Sequence, residues 1–420
     1  MPDKKSRHIL VVLSHAFPYD KRDTFLEEEA CYYRNFDQIY IAPLDVSNYS
    51  ERRAINNPAV TLLRLNGSNL SKFDLLAWCI RSVFSKQFLA DFCYLIHTKN
   101  LNAATLKHLV TFAALGKHSF SQVKKALLAH GIDKNDSITF YAYWLAFHSY
   151  AAVLLKEFFP RSTAVSRCHG YDLYEYRNPQ NYIPLRKFLL NRLDTLFCIS
   201  EDGKNYLEEI YPDVRKNLVI SRLGTRDYGE GPTPQNKAVL KLVSCSWISP
   251  VKRVSKILDA LMLIKDIRIE WTHFGDGVLL EDLKKTAQKL PENIKVNLPG
   301  AVSNQELLRI YQSQAFHVFL NVSESEGVPV SIMEAMSFGI PAIATDVGGV
   351  REIVKPEKNG FLLDKDFTDL QLAELIRFFS EMPDKTYVEY RKSAREFWKE
   401  NYSAEKNYSS FSDTIFSGRK

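Results

Sequence analysis

The sequence predicts an α/β protein made of two doubly wound parallel-sheet domains, and three observations predict it. At 420 residues and 48.3 kDa the chain is longer than one ordinary core accommodates. Apolar runs of strand length, rich in Val, Ile and Leu and not alternating, recur between helix-like stretches in both halves. Such runs read as strands covered on both faces. Between the halves lies Gly224–Lys237, "GTRDYGEGPTPQNK", rich in Gly and Pro and nearly free of apolar residues, which is a linker composition.

In chain order the first half offers "HILVVLSH", "QIYIAP", "VTLLRL", "SITFYAYW", "STAVSRCHG", "DTLFCIS" and "NLVISRLG" as strands. The second half offers "KLVSCSWIS", "IRIEWTHFGDG", "IKVNLPG", "HVFLNVS" and "PAIATDV". Helical patterns fall between them; Ile257, Leu261 and Ile264, for example, share one stripe. Strand–helix alternation of this kind builds parallel sheets. The predicted divisions are a first domain over 1–228, a linker over 229–237, a second domain over 238–395 and a terminal segment over 396–420. Ligands of open α/β sheets gather beyond the carboxyl ends of the strands, so the residues after each strand are the candidates for chemistry.

Composition narrows the class. Hydrophobic content of 45% and charged content of 25% are those of a soluble globular protein. Six cysteines (Cys31, Cys79, Cys93, Cys168, Cys198, Cys245) are scattered without a C-x-x-C pair, which fits a reducing cytosol. Lys4, Lys5 and Arg7 precede an apolar run as in a signal peptide. That run is short, and "YDKRD" follows it with no small-residue cleavage site, so a first strand is the better reading. No apolar stretch approaches the length of a membrane span.

The net charge of +6 lies wholly in residues 1–235, since 236–420 holds 25 basic and 25 acidic residues. Nine lysines and arginines against three aspartates occupy 72–134, together with Trp78, Phe84, Phe88, Phe92 and Phe112. Basic and aromatic residues together suit an anionic membrane surface or an anionic acceptor. A solvated helical face over the core is the competing reading. Nucleic acid is not expected, because the charge is modest and no binding motif accompanies it.

The most informative stretch is "SESEGVPVSIMEAMSFGIPAIATDVGG", Ser323–Gly349, which sets Glu326 and Glu334 eight positions apart. "HVFLNVS" is the strand, "ESEGVP" the turn, and "VSIMEAMSF" a helix ended by Gly339 with Pro341 beyond it. Gly327 lets backbone approach a ligand, and Pro329 fits the first helical turn. The free N–H groups there suit a diphosphate. Two carboxylates would repel that anion, so they read as acceptors for hydroxyls, with a sugar on one side and a ribose on the other. A surface turn residue and an exposed helix position are the competing reading.

E-G-x-P-x-x-x-x-E-A-M-x-x-G-x-P, Glu326 to Pro341, resembles the signature of the retaining, family 4 type of GT-B glycosyltransferases, also called glycosyl transferases group 1. "VGGVREIV", "NGFLL", "FGDG" and "LPGAVSNQELLRIY" continue the likeness over 238–364, and the N-terminal half resembles the family more loosely. The resemblance implies a GT-B fold: two Rossmann-like domains facing a cleft, an acceptor domain first and a nucleotide-sugar domain second. "FWKENYSAEKNYSSF" resembles the family's C-terminal helix that crosses back to the first domain. Glu326 is implied to contact donor-sugar hydroxyls and Glu334 the ribose, with the backbone of Gly327, Val328 and Pro329 at the diphosphate. Leu298–Val302 is implied to line the nucleobase.

In "SCSWISPVKRVSKILDAL", Lys252 matches the family's lysine, but Trp247 stands where an arginine is usual. Arg253, where glycine is commoner, is expected to supply the missing charge. Cations at a helix start oppose its dipole unless an anion binds there. His169, with Gly170, follows a strand in "SRCHGYDLYEYR". A lone histidine is more often structural, but His-Gly-x-Asp resembles the family's N-domain histidine that approaches the donor sugar, with Asp172 orienting it or meeting the acceptor. "SHAFPYDKRDTFLEEEA" resembles a variant first loop of polysaccharide-assembly members, which implies Arg22, Asp23 and Thr24 at the acceptor.

The implied reaction is retaining transfer from a nucleotide diphosphate-sugar, UDP favoured over GDP, to a glycan or lipid-linked saccharide in capsule, exopolysaccharide or O-antigen assembly. The resemblance implies that Lys252, Arg253 and the helix N-terminus at Gly327 offset the leaving group's charge, so neither metal nor other cofactor is expected. The expected location is cytoplasmic, peripheral at the inner face of the plasma membrane. An epimerase or phosphorylase of the same fold and a non-catalytic partner subunit, the latter suggested by Trp247, are the alternatives.

Overall fold

The computed structural model describes residues 7–19, 23–46, 52–65 and 70–418. The chain forms two compact units, one of residues 1–222 with 408–420 and the other of residues 223–407.

Unit 1 holds seven parallel strands: β1 His8–Ser14, β2 Gln38–Pro43, β3 Val60–Leu62, β4 Ser137–Ala142, β5 Ser162–Cys168, β6 Thr195–Cys198 and β7 Leu218–Ile220. Their order is β3-β2-β1-β4-β5-β6-β7, so the winding direction reverses between β1 and β4. Ile9 to Leu13 of β1 are fully buried, as a central strand covered on both faces must be. The crossover from β3 to β4 carries helices Lys72–Val83, Lys86–His97 and Ala103–Ala129. The third is started by a reciprocal cap between Asn102 and Thr105.

Unit 2 holds six parallel strands: β8 Leu240–Cys245, β9 Ile269–Phe274, β10 Ile294–Gly300, β11 Val318–Asn321, β12 Ala342–Thr345 and β13 Gly360–Leu363. The order β10-β9-β8-β11-β12-β13 places its reversal between β8 and β11. Each predicted apolar run overlaps one of the first twelve strands. The exception is β13, a four-residue edge strand inside "NGFLL".

The two units divide at 222/223 and 407/408. Gly224–Lys237 is not a free linker; it is strapped along unit 2. Thr225 N donates to Tyr402 O at 2.9 Å, Trp398 Nε1 to Thr225 Oγ1 at 2.7 Å, and Gly231 N to Phe338 O at 3.1 Å. Helix Asp384–Asn401 runs on past residue 396 as one piece, so it stays with unit 2. Of the last helix, Ala404–Ser417, the residues from Tyr408 onward belong to unit 1. There Phe411 packs edge-on to Phe197, with ring centroids 4.9 Å apart.

Candidate functional site

The reversal between β8 and β11 leaves a crevice at their carboxyl ends, where doubly wound sheets hold ligands. Glu326 lies in the loop after β11 and is only 8% exposed. Lys252, after β8, reaches it with Nζ 2.5 Å from Oε1, and Asn321 Nδ2 donates to the same oxygen at 3.4 Å. Three clamps fix this loop. Glu324 N donates to Val251 O at 2.8 Å, and Gly349 N donates to Gly327 O at 2.7 Å. The third clamp is Arg253, whose guanidinium donates to the carbonyls of Val322, Ser323 and Lys365 at 2.9, 3.3 and 2.8 Å. Gly348 makes the second clamp possible. Its φ is +54°, and a Cβ there would stand 2.1 Å from Glu326 O.

The backbone of Arg253 is left-handed, φ 46°, and its guanidinium is spent on the loop carbonyls. Arg253 therefore shapes the Glu326 loop. Trp247 stands at the end of β8 and is 57% exposed.

Helix Val330–Ser337 starts at the same edge. Pro329 is its cap residue, with φ −71° and ψ 113°, rather than a member of the first turn. The amides of Gly327 and Val328 precede it; Ile332 N donates to Pro329 O at 3.1 Å, and the helix amides before it have no acceptor within the helix. Glu334 is one turn in and buried, and it accepts from Asn304 Nδ2 at 2.6 Å. Burial lifts its carboxyl to about 7, against the opposing Asn304 bond. Tyr311 and Cys245 lie in its field: burial and then Glu334 push the Cys245 thiol up to about 12, opposed by Lys252. The Tyr311 hydroxyl is buried with no hydrogen-bond partner among the described residues. Neither glutamate is therefore an exposed surface position.

Leu298–Val302 continues from β10 into the turn before Ser303, which caps the helix that starts with Asn304. Asn304, Tyr311 and Asn321 were not singled out from sequence. A cap serine before Asn304 marks a helix start, but nothing in the spacing signals that its first residue meets a glutamate thirty positions on.

In unit 1, His169 follows β5 and is 7% exposed. Its ring lies against Trp144 and Tyr143, with centroids 4.4 and 4.8 Å apart. Neither ring nitrogen has a hydrogen-bond partner among the described residues, and Nδ1 is 3.7 Å from Asp172 Oδ2. Asp172 spends its oxygens on backbone, accepting from His169 N at 2.7 Å and Leu145 N at 2.8 Å. Asp23 accepts from Trp144 Nε1 at 2.5 Å and from Ala16 N and Phe17 N at 3.0 and 3.2 Å. Asp23 and Asp172 thus hold the loops after β1, β4 and β5 around His169, and their carboxylates are already engaged. Arg22 and the Thr24 side chain lie outside the described residues.

Residues 232–397 match the sequence profile of the family described as Glycosyl transferases group 1. Unit 2 is a glycosyl transferases group 1 domain. Among curated proteins, the putative colanic acid biosynthesis glycosyltransferase WcaL of Escherichia coli K12 is 24% identical over 236 residues, 54% of this chain and 58% of that one. The UDP-Gal:alpha-D-GlcNAc-diphosphoundecaprenol alpha-1,3-galactosyltransferase of Escherichia coli is 35% identical over 199 residues, 43% of this chain and 50% of that one. These two matches span 58% and 50% of the relatives' own lengths. Among solved structures, Anabaena Alr3699/HepE in complex with UDP and glucose superposes with a TM-score of 0.65 at 14% identity, over 98% of this chain and 100% of that one. The lipopolysaccharide outer core galactosyltransferase WaaB superposes with a TM-score of 0.67 at 16% identity, over 98% and 99%. These likenesses show the fold: the two sheets are those of GT-B proteins, with the group 1 domain as the second. The Lys252–Glu326 pair and Glu334 lie inside that domain's matched residues.

Proposed function

We propose that the protein is a retaining glycosyltransferase. It moves a sugar from a nucleotide diphosphate-sugar, with UDP favoured and GDP the alternative, to a hydroxyl of a glycan or lipid-linked saccharide in cell-surface polysaccharide synthesis. The observation that carries this reading is the Lys252–Glu326 contact of 2.5 Å at the β8/β11 reversal, with buried Glu334 one turn into the helix that follows. The relatives' names support polysaccharide assembly, and UDP is the nucleotide that several of the matched names contain.

In the proposed reaction the acceptor oxygen attacks the anomeric carbon from the face that the diphosphate leaves. The carbon–oxygen bond to the diphosphate breaks, and its departing oxygen takes up the acceptor proton. Lys252 and the amides at Gly327, Val328 and the helix start stabilise the growing negative charge, with no metal required of them. Glu326 accepts from donor-sugar hydroxyls and Glu334 from the ribose. Glu326 also keeps Lys252 in place before the donor arrives, and the incoming phosphate draws the ammonium away. Unsatisfied His169, held by Trp144 and the Asp172 loop, meets the sugar or acceptor.

A lipid-linked acceptor would bring the enzyme to an anionic membrane surface through residues 72–134. Phe73, Leu76, Ile80 and Phe84 recur on one stripe there and are 86, 58, 55 and 79% exposed. Lys72, Arg81 and Lys86 lie exposed beside them. Among the described residues no helix is long and apolar enough to cross a membrane.

The test is calorimetric titration with UDP, GDP and ADP of the wild type and of Glu334→Ala. Tight binding of one nucleotide, lost in the variant, supports the donor site. Binding of none, by protein that stays folded, sinks the reading and leaves a non-catalytic partner, the role that exposed Trp247 favours. Donor turnover without acceptor would instead point to an epimerase or phosphorylase.

A further inference from the structure

Unit 1 contains a half-open cavity of about 650 Å³ between helix Lys86–His97 and the segment from Glu175 to Arg192. That volume is in the range that holds small ligands. Its walls are rich in flat polar groups. Asp91 accepts from Tyr182 Oη at 2.5 Å and Leu185 N at 2.8 Å, and Glu175 accepts from Tyr211 Oη at 2.5 Å. Each carboxylate is thus held by a phenol through one oxygen. Tyr94 presents a ring that is 45% exposed at the mouth.

The charge balance is positive. Arg186 is 3% exposed and spends Nη2 on Asp172 O at 2.5 Å, while its Nε and Nη1 have no hydrogen-bond partner among the described residues. Lys99 and Lys187 lie exposed at the rim. The backbone is strained around the same opening. Lys99, Gln180, Asn181 and Leu185 all have left-handed φ, between 51° and 60°, without being glycine. Such conformations persist where surrounding structure enforces them, and they gather at ligand sites. Asn100 Nδ2, donating to Gln180 O at 3.0 Å, ties the two walls together at that point.

We infer that this cavity is a second saccharide site, separate from the group 1 domain, which takes a segment of an acidic glycan. The phenol-held carboxylates Asp91 and Glu175 accept sugar hydroxyls, Tyr94 covers a ring face, and Lys99, Lys187 and the buried Arg186 charge meet a uronate. Arg186 also links the cavity to His169, because the residue it braces, Asp172, positions the His169 amide. The inference goes beyond the proposed transfer reaction and does not depend on the donor.

The test is an array of neutral and uronate-bearing bacterial oligosaccharides, probed with the full chain in the presence and absence of UDP. Uronate-bearing members should be retained in both conditions. Lys187→Glu and Tyr94→Ala, at exposed positions that leave the fold intact, should each weaken retention about tenfold, the loss of one charge-assisted or stacking contact. Glu326→Gln should leave it unchanged, whatever becomes of transfer activity. Retention of no oligosaccharide, retention of neutral ones alone, or retention unaltered in both cavity variants would overturn the inference.

Discussion

Arg167 and Glu29 meet at 3.2 Å with neither side chain exposed to any degree. Tyr33 Oη donates to Glu29 at 2.8 Å, Arg167 Nε donates to Tyr141 Oη at 3.1 Å, and the guanidinium lies 4.2 Å from the Phe411 ring centroid. Opposite charges that are both out of water need each other: removing one strands its partner, whereas removing both does not. Glu29→Leu should therefore cost about 3–5 kcal/mol in urea unfolding of unit 1. The double variant Glu29→Leu with Arg167→Met should recover most of that loss. Equal losses in the single and double variants would mean that the pair is not coupled.

Glu334 gives a pH dependence with a defined sign. Burial lifts its carboxyl from 4.5 to about 7, so the folded chain keeps a proton that the unfolded chain has released. The related stability is fully present below about 4.5 and is lost as pH rises through about 7, amounting to about 3 kcal/mol at the alkaline limit. Glu334→Gln should flatten this slope in denaturation curves between pH 5 and pH 8. If Glu334 in its ionised form accepts from the ribose as proposed, UDP affinity should also rise about tenfold from pH 6 to pH 8. A slope unchanged in the variant would place the titration elsewhere.

Lys252 and Arg253 are adjacent cations with separable consequences. Lys252→Met should lower kcat by about 100-fold or more, the scale for losing one charge stabiliser at a leaving group. It should leave the melting temperature within a few degrees. Arg253→Met releases three carbonyls and should cost about 2 kcal/mol of unit 2 stability. It should act on kcat only as far as the Glu326 loop shifts. Thermal unfolding and steady-state kinetics on the same preparations distinguish the two, and identical profiles would contradict the split.

Gly348→Ala adds a methyl group where the carbonyl oxygen of Glu326 already stands, on backbone with φ +54°. The loop must move, so donor affinity should fall at least tenfold while circular dichroism stays close to the wild type. Full affinity in the variant would show that the clamp between the loops after β11 and β12 is dispensable.

Much of the fold was legible because parallel strands buried on both faces leave continuous apolar runs, as Ile9–Leu13 do. Gly360–Leu363 escaped because a four-residue edge strand has too few apolar residues to stand out. Lys252, Glu326 and Glu334 were legible as residues placed just after strands or one turn into a helix. The bonds of Arg253 to the loop carbonyls were not legible, because they depend on a left-handed φ, which no charge pattern encodes. Asn304 and Trp144 were missed because their partners, Glu334 and His169, are thirty and twenty-five positions away in sequence.

The strap at Gly224–Lys237 has a consequence for how such proteins diversify. Thr225 N donates to Tyr402 O, Ala404 N donates to Thr225 O, and Asn407 Nδ2 donates to Leu223 O, so the incoming and outgoing ends of unit 2 are stitched side by side. A module whose two ends already meet can be cut from one gene and spliced into another without opening a gap in its host. Recombination at 223 and 407 would then exchange the whole of unit 2 for another such module in a single event and leave unit 1 untouched.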